Sequence, residues 1–354
     1  MYAKLNPKDS DQISFLKNEL RPFYNDQILT WQYYRLQNIN SCLYLLKENN
    51  KYIASQGMIP IHLTSGNKSR LTAKSESSFL LPDFRGRGLF EDLYSYNIEK
   101  SEEDKVELIW GFTALSKVWR KKLNFEVYDG LITETELQLS PRIAISFLLG
   151  KKMPIWNTFK QSVKIILNAF SKKKIPFISS KKYAREIDLT NQQNIDNVQT
   201  VFENWRANHP SFISIDLSAE FLEWRLLKNP LQKYKTIGLY EDGKLYGFGV
   251  INNTSVYSYL VEIIINDRTK LKEGVHSLLK YWRGLKISSH INYWASNRNE
   301  YCNEISNVLS DLGAKKMTNN HMNFVYKKTK HNSFAVDDVN WFYINGLWTE
   351  GFHI

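Results

Sequence analysis

The stretch Phe79-Leu80-Leu81-Pro82-Asp83-Phe84-Arg85-Gly86-Arg87-Gly88-Leu89-Phe90 decides the reading of this chain. It joins an apolar, strand-like run, SRLTAKSESSFLL, to the helix-like GLFEDLYSYNIEK. Gly86 and Gly88 let the backbone come close to an anion, and successive N–H groups at a helix N-terminus carry positive partial charge. Such a turn suits a pyrophosphate. A tight strand-to-helix turn has the same appearance, and a Gly-rich loop by itself is a weak signal.

Outward from the loop, residues 1–135 read as a mixed α/β unit. Upstream, Tyr2–Leu5 reads as a short strand, Asp9 or Ser10 offers an N-cap for a helix to about Leu20, and Gln27–Ile39 reads as a second helix. SCLYLLKENNKYIASQGMIPIHL then gives two apolar runs around the turn-like ENNK. Downstream, VELIWGF reads as a buried strand, SKVWRKKLN as a short helix and FEVYDG as a further strand.

The run SESSFLLPDFRGRGLFEDLY, followed by VELIWGF and KKLNFEVY, resembles the acyl-CoA-binding motif of the GNAT acetyltransferase superfamily. There a strand, an Arg/Gln-x-x-Gly-x-Gly/Ala loop and a helix grip coenzyme A. The resemblance implies acetyl-CoA or another acyl-CoA as co-substrate. It places Arg85, Gly86, Arg87, Gly88, Leu89 and Phe90 at the pyrophosphate, and the main chain of Phe79, Leu80 and Leu81 at the pantetheine. Phe90 stands where most members have Gly or Ala. The form Arg-Gly-x-Gly-hydrophobic-Phe is similar to that of a two-domain subgroup often linked with surface polysaccharide or aminosugar modification. The general-acid Tyr of many members would fall in WRKKLNF, where Arg120 takes its place.

The chemistry then needs a base for the acceptor amine and a donor for the thioester oxygen, which an amide N–H of the strand before the loop can supply. Glu76 is the first candidate base, from the stretch where some superfamily members carry a catalytic carboxylate; a solvated or salt-bridged acid is the alternative. His62, on the neighbouring strand, is the second, against a structural histidine. Ser116 is placed to hydrogen-bond the cofactor sulfur or phosphate, against an ordinary helix N-cap.

Beyond residue 190 the pattern recurs without the motif. A helix near Asn194–Asn208, strands in YKTIGLYEDGKLYGFGVINN and VYSYLVEIIIN, helix LKEGVHSLLKYWRGL, strand HINYWAS and helix NEYCNEISNVLSDLGAKK repeat the first order. The second strand is followed by DRTKLKEGVHSLL, which has nothing like Arg-Gly-x-Gly, so a second coenzyme A site is not expected. In FLEWRLLKNPLQKY, Trp224, Arg225 and Tyr234 either stack on a sugar or phosphate or belong to a buried helix. After Lys330 an aromatic tail, DDVNWFYINGLWTEGFHI, is expected to pack on something, with Glu350, His353 or the terminal carboxylate available to the first domain's cleft.

Composition bounds these readings. With 354 residues, 43% hydrophobic and 23% charged, the chain has the size of two domains. Its mean hydropathy is −0.42. It shows no long apolar run and no signal-peptide core in MYAKLNPKDSDQ, so a cytoplasmic protein is expected. Two distant cysteines and scattered histidines predict no metal site. The net charge is +11, and the eleven basic residues between Leu137 and Arg185, a stretch without acids, account for all of it. A uniformly basic nucleic-acid binder is therefore not expected. Trp156, Phe159, Val163, Ile166 and Phe170 recur on one face of a basic amphipathic helix. That helix, within residues 145–174, is a packed linker, a peripheral contact with an anionic membrane at its inner face, or a landing strip for an anionic acceptor.

The sequence thus predicts an α/β (α+β) protein of two GNAT-like mixed-sheet domains in tandem. The divisions are 1–135, a basic linker 136–190, a degenerate copy 191–330 and the tail 331–354. The resemblance implies an N-acyltransferase acting on a small-molecule amine, an aminosugar of a nucleotide- or lipid-linked surface-polysaccharide precursor first among them. A Fem-like aminoacyl ligase and a non-catalytic binding module are the rival readings.

Overall fold

The computed structural model describes residues 1–36, 39–139, 145, 162–163, 182–253, 257–319, 322–334 and 338–348. All but a few residues of the expected basic helix, together with Glu350 and His353, lie outside the described residues.

The chain forms two compact units: Met1–Leu131 with Lys228–Leu231 and Asn320–Asp337, and Ile132–Leu227 with Gln232–Asn319 and Asp338–Ile354. In the first, β1 (Tyr2–Lys4) leads to α1 (Ser10–Glu19) and α2 (Asp26–Tyr33). The Asp9 carboxylate accepts from the N–H groups of Asp11 and Gln12, and Asn25 caps α2 by accepting from Ile28. α2 stops well short of the expected Ile39. β2 (Leu43–Glu48) and β3 (Lys51–Ser65) meet at Asn49 and Asn50, both left-handed at φ 48° and 62°, a conformation asparagine tolerates in two-residue hairpins. β4 (Lys68–Leu80), a 3₁₀ turn (Pro82–Phe84), α3 (Leu89–Glu103), β5 (Leu108–Thr113), α4 (Ser116–Lys121) and β6 (Glu126–Tyr128) follow.

The second unit takes β7 (Ile132–Gln138), β8 (Lys182–Ile187), α5 (Gln192–Asn208), β9 (Ile213–Ile215) and α6 (Ala219–Leu222). It continues with β10 (Tyr234–Glu241), β11 (Lys244–Asn253), β12 (Tyr257–Ile265), α7 (Leu271–Leu285), β13 (His290–Ser296), α8 (Glu300–Asp311) and β14 (Lys315–Thr318). β15 (Asn323–Lys328) then returns to the first unit.

The strand orders are β1-β2-β3-β4-β5-β15-β6 and β14-β7-β13-β12-β11-β10-β8. They repeat one another, as the sequence suggested, with one parallel pair in each: β4 with β5, and β12 with β13. The strand beside that pair is exchanged along the chain. β15 lies antiparallel to β5, and β7 antiparallel to β13. The units depart from the linear division: LITETELQ, left unassigned by the sequence reading, opens the second unit at Ile132, and residues 228–231 and 320–337 belong to the first. Hydrophobic alternation marks a strand but carries no information about which distant sheet it joins.

The first core lies between the sheet and α3–α4: Met58, Ala73, Tyr94, Val106, Ile109, Trp119, Leu123, Phe125 and Val325. Tyr94, Trp119 and Phe125 meet edge to face with ring centroids 4.8–5.6 Å apart, and each such contact contributes about 1 kcal/mol beyond burial. In the second unit Phe221, Trp224 and Arg225 are buried, with the Arg225 guanidinium over the Tyr234 ring, so the buried-helix reading of FLEWRLLKNP holds for Phe221 and Trp224, while Leu227, expected on the same face, is exposed. The described part of the aromatic tail also packs within the second unit, where Phe342, Tyr343, Ile344, Leu347 and Trp348 are all buried.

Candidate functional site

β4 and β5 run parallel only from Thr72–Leu108 to Lys74–Trp110. Beyond Lys74, among the described residues, β4 keeps only β3 as its partner to Leu80, while β5 keeps only β15, with which it pairs along its whole length. The two strands therefore part, leaving the β5-side edge of β4 with main-chain groups to satisfy.

A bulge shapes that edge. Glu76 pairs with Gly57 and Phe79 with Ser55, so Ser77 and Ser78 stand opposite Gln56 alone. Ser77 is left-handed, with φ 55°, a conformation costing a non-glycine residue roughly 1–2 kcal/mol. Three buried contacts hold it there. The hydroxyls of Tyr24 and Tyr33 lie 2.8 and 2.7 Å from Ser77 Oγ, and Ser55 Oγ donates to the Ser77 carbonyl at 2.8 Å. Gln56 ties the neighbouring serines, donating to Ser75 Oγ at 3.0 Å and accepting from Ser78 Oγ at 2.6 Å.

The loop follows at once. Pro82–Phe84 forms one 3₁₀ turn, and Arg85 Nε donates back to the Leu80 carbonyl. Gly86 and Gly88 are left-handed at φ 80° and 78°, and a Cβ added at either would meet nothing within 4 Å. The glycines are therefore required by backbone conformation, and the space beside them is open to a ligand. α3 begins at Leu89 after Gly88, which has no side chain to cap it, so the helix start lacks a side-chain cap. These two features, an uncapped helix start and an unpaired strand edge, open on one cavity of about 690 Å³. Phosphate oxygens at the first and amide groups along the second match the donors and acceptors present.

Of the residues singled out from the sequence, the structure brings Glu76, Phe79, Leu80, Arg85, Gly86 and Phe90 to the cavity wall. Leu81, Gly88 and Leu89 flank it within the same loop. The Arg87 guanidinium turns to Glu48 at 2.8 Å and lies over Phe84, so only its backbone is near the helix start. Phe90 packs on Tyr94, 5.9 Å between centroids, filling with a ring the packing place of a small residue.

Glu76 stands with Lys74 and Thr72 on the face of β4 opposite Ala73, which packs with Tyr94 of α3. Its Oε2 is paired with the buried Lys74 ammonium, the salt-bridged arrangement weighed above, while the side chain still lines the cavity. His62 is not brought to the site. It pairs with Leu71 where Glu76 pairs with Gly57, five rungs and about 16 Å along the hairpin. Ser116 is the first residue of α4 and is absent from the wall; Leu115, bonded to Thr113 Oγ1, precedes it as the cap. Arg120 is exposed and bonds Asp129 at 3.0 Å and the Val127 carbonyl, turned away from the tyrosine role.

Sequence reasoning missed Tyr24, Tyr33, Ser77, Arg21, Trp119 and Lys122. The hydroxyls meet only through tertiary structure, and the serine-rich SESS of β4 was the one visible cue. Lys122 Nζ lies 2.5 Å from Glu91 Oε1 and holds that carboxyl below its ordinary range, which keeps the acid in the first turn of α3 neutralised by a cation. Among the described residues no group of three His, Cys, Asp or Glu side chains is arranged to hold a metal, and no helix is long and apolar enough to cross a membrane.

A GCN5-related N-acetyltransferase from Anabaena variabilis superposes with a TM-score of 0.61 at 10% identity, over 93% of this chain and 72% of that one. The chain carries the GNAT fold. A probable N-acyltransferase from Enterococcus faecalis gives 0.61 at 10% identity, over 94% and 73% of the two chains. Saccharomyces cerevisiae N-myristoyltransferase with bound myristoyl-CoA gives 0.61 at 12%, over 92% and 82%. At such identities the likeness is one of fold. No protein-family model matches the sequence, and no curated protein matches it.

Proposed function

We propose that the chain is an acyl-CoA-dependent N-acyltransferase that moves an acyl group to an amine. The observation that carries this reading is the parting of β4 from β5 directly beside the uncapped, glycine-flanked start of α3, with a single cavity spanning both. Acyl-CoA would supply an activated thioester. The chain's part is to hold the diphosphate at Gly86 and the N-terminus of α3, to pair the pantetheine amides with the edge of β4, and to aim a β4 amide N–H at the thioester oxygen. Glu76 Oε1 is the oxygen left to take a proton from the incoming ammonium, directly or through water, since Oε2 is engaged by Lys74. A thiolate with a pKa near that of cysteine, about 8.5, departs without a strong acid, which accommodates Arg120 where a tyrosine would stand. The resemblance of Arg85–Phe90 to the two-domain subgroup supports an aminosugar of a surface-polysaccharide precursor as acceptor.

Calorimetric titration of free coenzyme A and acetyl-CoA tests the donor site. Micromolar binding is expected for the wild type, with loss in Gly86→Val/Gly88→Val at unchanged circular dichroism, because both positions need positive φ and neither touches the core. Absence of binding to the wild type, or wild-type affinity in the double variant, overturns the reading.

A further inference from the structure

Resting on that donor site, we infer that the cavity selects short acyl chains, acetyl or propionyl, and that Trp119 sets the limit. The diphosphate end at Gly86 and the strand edge running from Leu80 back to Ser77 together place the thioester where β4 and β5 part, between Glu76–Ser77 and Phe112–Thr113. Four directions lead away from that point, and three are closed by packed groups.

Along the strands the sheet re-forms. Ala73 and Lys74 pair with Ile109 and Trp110, and the Ser75 carbonyl lies so near Gly111 that a Cβ added there would come within 3.0 Å of it. Toward α2 stand Tyr24 and Tyr33, engaged with Ser77; a Cβ on Gly57 would come within 2.5 Å of the Tyr33 hydroxyl. Toward α3 and α4 stands Trp119. It lines the cavity and is only 5% exposed, with its ring edge-on to Phe125 at 4.8 Å and to Tyr94 at 5.1 Å. Tyr94 and Phe125 close the triangle at 5.6 Å. Rings packed to crystal density leave no slot for a polymethylene chain. The fourth direction, past Glu19, Leu20 and Arg21, is the side from which an amine can approach, and a long chain lying there would obstruct it.

The test is a calorimetric series on the wild-type chain with coenzyme A, acetyl-, propionyl-, octanoyl- and myristoyl-CoA, each below its micelle concentration. Acetyl- and propionyl-CoA are expected to bind within about tenfold of coenzyme A, and octanoyl- and myristoyl-CoA at least ~100-fold more weakly than acetyl-CoA, in line with the discrimination a filled apolar pocket exerts against added methylenes. In Trp119→Leu the ratio of octanoyl to acetyl affinity is expected to rise at least ~10-fold. Should that variant not fold, Trp119→Phe, which keeps a ring against Phe125 and Tyr94 while shortening the wall, takes its place. Long-chain thioesters binding the wild type as tightly as acetyl-CoA overturn the inference and leave the donor site standing. An unchanged ratio in the folded variant removes Trp119 from the role. Failure of coenzyme A and every thioester to bind takes down the donor site, and the inference with it.

Discussion

Glu262 of β12 offers the most quantitative prediction. Its carboxyl is fully enclosed, with Oε1 receiving Asn345 Nδ2 at 2.8 Å and the Ile263 N–H at 2.9 Å and lying 2.6 Å from the Tyr343 hydroxyl. Tyr343 Oη is also 2.8 Å from the Ile263 carbonyl, so one phenolic hydrogen faces two acceptors. Both pairs are satisfied only when the carboxyl carries its own proton. The titratable groups around it are Tyr293, Tyr301, Cys302 and Tyr343, with no cation among them in the described structure, and burial pushes Glu262 from 4.5 up to about 7. A raised carboxyl pKa means the folded state retains a proton that the unfolded chain gives up. The stability tied to that proton is therefore present in full below about pH 4.5 and lost as pH rises through about 7. The shift corresponds to about 3 kcal/mol. Glu262→Gln stays neutral throughout. Urea unfolding at pH 5 and pH 8 should show the variant gaining on wild type as pH rises, by up to about 3 kcal/mol at pH 8, since burial lowers the pKa of His209 and His276 equally in both proteins and their contribution cancels in the difference. Equal pH slopes in the two proteins, or a variant weaker at both pH values, would refute the reasoning.

Glu76→Gln should keep acetyl-CoA affinity and lower the rate of amine acylation ~10²–10⁴-fold, read by thiol release once an acceptor is in hand. Ser77→Ala removes the hydroxyl that Tyr24 and Tyr33 share and should cost about 1–3 kcal/mol in chemical unfolding, with a parallel loss of thioester affinity as the bulge relaxes. At Gly346 a Cβ would come within 2.8 Å of Val261 Cα, so Gly346→Val should destabilise the second unit, seen as faster hydrogen exchange across residues 257–265 and 338–348. Titration should give one acetyl-CoA per chain.

Local chemistry made much of this molecule legible. Asp9 as a cap, the Asn49–Asn50 turn and the helix Leu271–Leu285 follow from side chains a few residues apart. The loop from Arg85 to Phe90 was readable because positive φ at Gly86 and Gly88 and an uncapped helix start are written in adjacent residues. What escaped depends on distance along the chain. The exchange of β7 and β15 between sheets, the meeting of Tyr24, Tyr33 and Ser77, and the wall formed by Trp119 are set by packing, and no period of the sequence encodes them. His62 failed as a candidate for the same reason, since a strand neighbour in sequence order lies five rungs away once register is fixed.

The two halves of the chain explain each other's specialisation. β12 and β13 are parallel only from Tyr257–His290 to Leu260–Tyr293 and then part, as β4 and β5 do. In the second unit, however, the chain fills the place itself. Ser296 N donates to the Ile344 carbonyl at 3.0 Å, Tyr343 reaches Ile263, and Gly346 lies against Val261. The segment that corresponds to the phosphate loop has its charged side chains paired. The Asp267 carboxylate accepts from Thr269 in a 3₁₀ turn ahead of α7, Arg268 is held by Glu300 and Glu304, and Lys270 is held by Glu241. Gly274, the one glycine near that helix start, faces Ile265 and serves close packing. The strand edge left open beside β4 thus has a counterpart beside β12 that the chain meets with its own tail, and a parted parallel pair becomes a binding site only where the chain withholds its own groups.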